Sequence, residues 1–142
     1  MRSLTDQERQ KFITDKHVGV LSVAADGARP PASVPIWYDV TPEGHIIITT
    51  GASSRKARLI KQAGAVTLVV QREEPPYQYV IMEGTVVATT SPTPPDVREA
   101  IAIRYLGEEG ARAFAEKMGA ATSTLFTVRP DRWITSDFSE DI

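Results

Sequence analysis

Residues 32–40 combine strict alternation with an internal proline, and few strand environments accept both. Ala32, Val34, Ile36, Tyr38 and Val40 fall on one face; Ser33, Pro35, Trp37 and Asp39 fall on the other. Pro35 has no N–H to give to a ladder. The segment must therefore be an edge strand, be bulged, or face a ligand at that point. Pro42-Glu43-Gly44 then turns the chain, and His45 to Thr50 supplies the partner strand of a hairpin.

The rest of the chain is consistent with this β-rich beginning. Thr5-Asp6-Gln7-Glu8 has the capping-box pattern and predicts a helix to about Asp15 that buries Phe12 and Ile13. Residues 18–23 read as a buried strand, and Asp26-Gly27 marks a turn. A short helix is expected over Arg55 to Gln62, capped by Ser53 or Ser54, with strands at 66–71 and 77–89 after it. Thr93, followed by two prolines, predicts a helix cap. The helix beyond it is interrupted by Gly107 and Gly110, and a last strand is expected over residues 122–128, leading to Trp133. Six short strands joined by tight turns, with a few helices, predict a single domain over residues 1–142. The expected fold is mainly β with peripheral helices (α+β), built as a small closed barrel, since closure removes sheet edges.

Composition removes several classes of function. No cysteine is present, which excludes thiol nucleophiles, disulfides and cysteine-ligated metals. The net charge of -2 and the lack of a basic-aromatic stripe argue against nucleic acid as a partner. The first residues lack the apolar core of a signal peptide, and no apolar run is long enough to span a membrane. A cytoplasmic protein with no membrane partner is the expectation. His17 and His45 lie in separate strands without acidic neighbours and read as solvated strand residues, so no metal site is expected. Glu83, beside Gly84, reads as a strand carboxylate next to a bulge glycine.

One segment carries chemistry. In Thr49-Thr50-Gly51-Ala52-Ser53-Ser54-Arg55-Lys56-Ala57-Arg58 a strand ends in hydroxyls and a helix begins with cations. Cations at a helix N-terminus oppose its dipole by roughly 0.3–1 kcal/mol each. A bound phosphate would offset that cost by taking the free N–H groups, the hydroxyls and the guanidinium together. A solvated basic helix is the alternative. Two aromatic residues have similarly open readings. Trp37 flanks a planar ring or packs in a core or interface, and Trp133 is a ligand wall or an interface anchor.

The order of these elements, with the Thr-Thr-x-x-x-Ser-Arg-Lys-x-Arg loop-helix and the Tyr79-Val80-Ile81-Met82-Glu83-Gly84 strand, resembles the pyridoxamine phosphate oxidase-like split-barrel family over roughly His17 to Trp133. Within it the chain is similar to the short flavin/deazaflavin oxidoreductases of actinobacteria, which use FMN or the deazaflavin coenzyme F420. The resemblance implies an FMN-binding split β-barrel that forms a homodimer, with cofactor sites at the subunit interface. It implies that Thr49, Thr50, Ser54, Arg55 and Lys56 hold the cofactor phosphate with help from Arg58. It also implies that Ser33, Pro35, Trp37 and Tyr38 line the ring, and that Tyr79 stands where true pyridoxamine phosphate oxidases carry a flavin-contacting glutamine. Two departures count against vitamin B6 oxidation: the C-terminal substrate motif is absent, and Tyr38 replaces the lysine that ends the ring-lining strand.

The resulting expectation is hydride transfer from reduced F420 to an electron-poor organic small-molecule substrate, with no catalytic side chain named. FMN-dependent oxidoreduction and a non-catalytic barrel that stores or senses a cofactor or tetrapyrrole remain the alternatives. An acidic deazaflavin tail would need a basic groove, for which Arg72, Arg98 and Lys61 are candidates.

Overall fold

The computed structural model describes residues 1–119 and 122–141. The elements run α1 (Asp6–Thr14), β1 (Gly19–Val23), β2 (Ala32–Ile36), β3 (Tyr38–Val40), β4 (Ile46–Gly51), α2 (Arg55–Ala63), β5 (Ala65–Arg72), β6 (Gln78–Thr90), α3 (Pro95–Met118) and β7 (Ser123–Asp137). One sheet of seven strands has the order β2-β1-β5-β6-β7-β4-β3, and every pairing in it is antiparallel.

The two edges of that sheet are consecutive in sequence. β2 pairs with β1 and β3 pairs with β4, yet only Trp37 separates them. A one-residue link between opposite edges forces the sheet to curl into a barrel that is split at this seam. The single strand expected over residues 32–40 is therefore two strands. Pro35 lies in β2, an edge strand, where its missing N–H costs the sheet nothing.

Alternation fills the barrel. Leu21, Leu68, Met82 and Trp133 are cross-strand partners on the inward face, and Val70 and Val80 form a second inward pair. The core also takes Phe12 and Ile13 from α1, Leu59 and Ile60 from α2, and Phe126 and Val128 from β7. Burying each of the larger aliphatic side chains contributes roughly 1.5–3 kcal/mol. Outward, Pro35, Val20, Val69, Ile81 and Ile134 form a row across five neighbouring strands.

Local signals explain most boundaries. Thr5 and Glu8 form the full capping box of α1, and Ser54 caps α2 while Gly64 ends it at φ 70°. Thr93 does not cap α3. It is buried, its Oγ1 accepts from Ser123 Oγ at 2.8 Å, and Pro94 occupies the cap position with no side-chain bond. The last strand is much longer than expected. It passes through Pro130 because a register shift at Glu83/Gly84 places that residue opposite Gly84, so β6 and β7 stay paired to Asp137.

Candidate functional site

The loop between β4 and α2 builds a compact cradle. Thr50, the last inward-facing residue of β4, lies 3.3 Å (Oγ1 to Oγ) from Ser54, whose Oγ accepts from the Ala57 N–H at 3.0 Å. Within α2 the next N–H, that of Arg58, goes to the Ser54 carbonyl at 3.2 Å. The N–H groups of Arg55 and Lys56 precede the first intrahelical bonds and point out of the helix end. No acidic residue lies in this first turn. Among the described residues neither Arg55 nor Lys56 pairs with a carboxylate, whereas Arg58 binds Asp26 at 2.9 Å. That pairing lowers the Asp26 carboxyl below its ordinary range, with the Arg58 hydrogen bond as the main cause. Arg58 is thereby drawn to the β1–β2 loop. The cradle thus consists of two uncommitted cations, two open N–H groups and two hydroxyls, a donor set suited to a phosphate.

Trp37 occupies the seam of the barrel, where α3 holds it. Its ring stacks on Tyr105, with centroids 4.9 Å apart and planes at 7°, and meets Phe114 at 5.5 Å. The Tyr105 hydroxyl donates to the His17 carbonyl at 2.7 Å and accepts from the Tyr38 N–H at 3.1 Å. Arg104, the residue before it, donates to the Thr14 and Asp15 carbonyls at 2.8 and 2.9 Å. Together these bonds fasten the seam to α1 and α3. In sequence Arg104 and Tyr105 are two residues of a helix, and an Arg-Tyr pair is too short a signal to reveal the clamp.

The remaining expected site residues divide by face. Ser33 and Pro35 are exposed on the outer face, where the Ser33 hydroxyl lies 2.9 Å from that of Ser22. Tyr79 is on the same face and tilts against Phe138 at 6.2 Å. It pairs with Ser136, whereas Thr50 pairs with Thr124, so the two sit towards opposite ends of β7. Tyr38 turns inward instead. It is fully buried and its hydroxyl donates to the Ile13 carbonyl at 2.6 Å. Burial raises its pKa well above the ordinary phenol range. Trp133 is the cross-strand partner of Met82 and so packs against the core, with the Arg9 guanidinium 4.7 Å over its ring. The rings of Tyr38 and Trp133 therefore serve the core of this protomer. Tyr38 is thus not in the ring-lining position expected, because its alternation phase points it inward, whereas Trp133 is only partly buried against the core.

His17 is likewise no solvated strand residue. It is half-buried, stacks on Phe12 at 4.5 Å, and burial lowers its pKa. Among the described residues no cluster of three or more His, Asp or Glu could hold a metal, and no helix is long and apolar enough to cross a membrane.

Beside the cradle a groove of about 740 Å³ opens between α3 and the end of β4. Thr49, Thr50 and Gly51 line it from the sheet; Ala102, Ile103, Ala111, Phe114 and Ala115 line it from α3. In sequence Ala111, Phe114 and Ala115 share helical spacing and mark one face of a helix. The row of alanines leaves space where larger residues would fill it.

Comparison with known proteins fits this geometry. The family model described as pyridoxamine 5'-phosphate oxidase matches residues 5–137. A structure of a conserved hypothetical protein from Mycobacterium tuberculosis superposes with a TM-score of 0.72 at 19% identity, covering 94% of this chain and 85% of that one. An F420 reductase superposes with a TM-score of 0.71 at 20% identity, covering 88% and 94%. An FAD-binding protein from Mesorhizobium loti gives 0.65 at 19% identity, covering 96% of each chain. At these identities the likeness is one of fold. No curated protein matches the chain.

Proposed function

Because this chain belongs to the pyridoxamine 5'-phosphate oxidase family, we propose that it is an oxidoreductase that holds a phosphorylated flavin-type cofactor and transfers a hydride from reduced coenzyme F420 to an electron-poor organic substrate. The observation that carries this reading is the cradle. Arg55 and Lys56 open a helix whose first turn has no acidic residue, beside the hydroxyls of Thr50 and Ser54. A phosphate there would gain the helix N–H groups and two cations at once.

When bound, the reduced cofactor supplies the hydride. The chain's own residues bind and orient. Arg55, Lys56, Ser54 and Thr50 hold the phosphate, with Thr49 in the lining of the neighbouring groove. Trp37, fixed between Tyr105 and Phe114, gives the seam a rigid aromatic wall. No side chain is assigned as acid or base.

The ring site is shared between two copies in this reading. Within one protomer Tyr79 lies towards the far end of β7 from the cradle, and Ser33 and Pro35 face outward. A second copy packed on the outer face would bring such residues to a neighbour's cradle. The apolar row from Pro35 to Ile134 supports that packing, since Val20 and Ile134 remain 40% and 36% exposed in the single chain.

FMN is the second reading, and the dispersal of the basic residues favours it. Arg98 lies in the α3 groove, Arg72 donates to the Glu74 carbonyl at the β5–β6 turn, and Lys61 is in the last turn of α2. They form no common groove for an acidic tail. Titration of the purified protein with F420 and FMN side by side, followed by fluorescence, separates the two. Tighter binding of F420 is the expected result; preference for FMN replaces it with the second reading, and binding of neither overturns both.

A further inference from the structure

The groove beside the cradle spans a break in α3. Gly107 sits at φ 74°, ψ 173°, and divides the helix into arms over residues 95–106 and 108–118. A side chain at that φ would be strained, and glycine permits the bend. The helix kinks at the break, and residues of both arms line the groove. Ala102 on one and Ala111 on the other are buried, and Phe114 and Ala115 continue the apolar line. The charges around this line cancel: Arg98 and Arg112 stand against Glu99 and Glu108.

We propose that this groove is a binding site for an uncharged, largely apolar small molecule with a polar edge that hydrogen-bonds at Thr49. Three features decide the chemistry. The volume is that of a small-molecule pocket, for which roughly 300–1,000 Å³ is usual. Acidic and basic residues are equal in number in the lining, so its net charge favours neither an anion nor a cation, and the apolar stretch of Ala102, Ala111, Phe114 and Ala115 favours a neutral, apolar ligand. Among the described lining residues the hydroxyls gather on the sheet side, where Thr122 and Ser123 join Thr49 and Thr50 beside the cradle. Resting on the flavin reading, the groove names the substrate class: a neutral apolar compound that enters along α3 and presents its polar edge towards the cofactor site.

The test uses the full chain without cofactor and the neutral dye Nile red, whose emission rises on leaving water. Ala115 is exposed in the groove, so Ala115→Trp fills it without touching the core. This variant is expected to weaken Nile red binding by about tenfold, with Ala115→Leu weakening it less. The anionic dye anilinonaphthalene sulfonate is expected to bind more weakly than Nile red. Affinity that changes by less than about twofold in both variants overturns the proposal, as does tighter binding of the anionic dye. Arg55→Ala with Lys56→Ala should leave Nile red affinity unchanged; its loss there would place the dye in the cradle and also overturn the proposal. Loss of flavin binding in that pair is read separately, so the groove and the cofactor reading fail independently.

Discussion

Single residues in this chain do their work through the phase of the alternation they belong to. Ser33, Pro35 and Trp37 were legible as one face of a strand, and they do avoid the core. Tyr38 was expected beside the cofactor ring from the family resemblance, but its phase turns it inward, onto Ile13, while Trp133 stands partly buried beside Met82. The cap residues Thr5 and Ser54 were legible because an N-cap needs only local sequence. Arg2 was not, since its partners are Glu8 and, across the fold, Asp137. The Arg2 hydrogen bond is the main cause holding the Glu8 carboxyl down to about 2 from the ordinary 4.5. The folded chain then binds fewer protons at Glu8 than the unfolded chain does. This contribution is complete above pH 4.5 and disappears as the pH falls towards 2. Arg2→Ala is expected to flatten the fall in unfolding midpoint across that window; an unchanged slope would show that the pair does not form in solution.

At the level of elements, hairpins and helix starts were readable and long-range pairing was not. The break of one expected strand into β2 and β3 depends on where each half finds a partner, and nothing in residues 32–40 states that β1 and β4 are different neighbours. β7 hid its length for a related reason: Pro130 looks like the end of a strand, and only the bulge opposite Gly84 accommodates it. That bulge gives a sharp test. A Cβ on Gly84 would lie 2.5 Å from Val128 Cγ1 and 2.7 Å from the Arg129 carbonyl oxygen. Gly84→Ala is expected to lower stability by about 1–3 kcal/mol in a denaturant titration, since backbone on one side cannot give way. A neutral outcome would mean that the β6–β7 register is wrong at this point. The kink of α3 was partly legible: Gly107 breaks the helix, but Gly110 remains within it.

Across the whole molecule, the family and its split barrel were legible because the order of a hairpin, a basic loop-helix and a later strand is an ordered pattern. The separation of Tyr79 from the cradle along β7 was not legible, since it depends on how β4 and β6 pair with β7. The outer row of Pro35, Val20, Val69, Ile81 and Ile134 is the face on which a second copy would sit. Light scattering at micromolar concentration is expected to give a dimer for the native chain and a monomer for Ile81→Lys, because a buried unpaired ammonium is costly in an apolar interface. A native monomer that still binds cofactor would remove the shared-site model.

The central claim is that the cradle at the start of α2 holds a flavin-type cofactor by its phosphate. Its most direct test is a cofactor titration of the Arg55→Ala, Lys56→Ala double variant beside the native chain, with circular dichroism confirming equal folding. Losing two charge-assisted contacts, each worth roughly 1.5–3 kcal/mol, should weaken binding by at least about a hundredfold. Affinity equal to that of the native chain, in a variant that is fully folded, would contradict the claim.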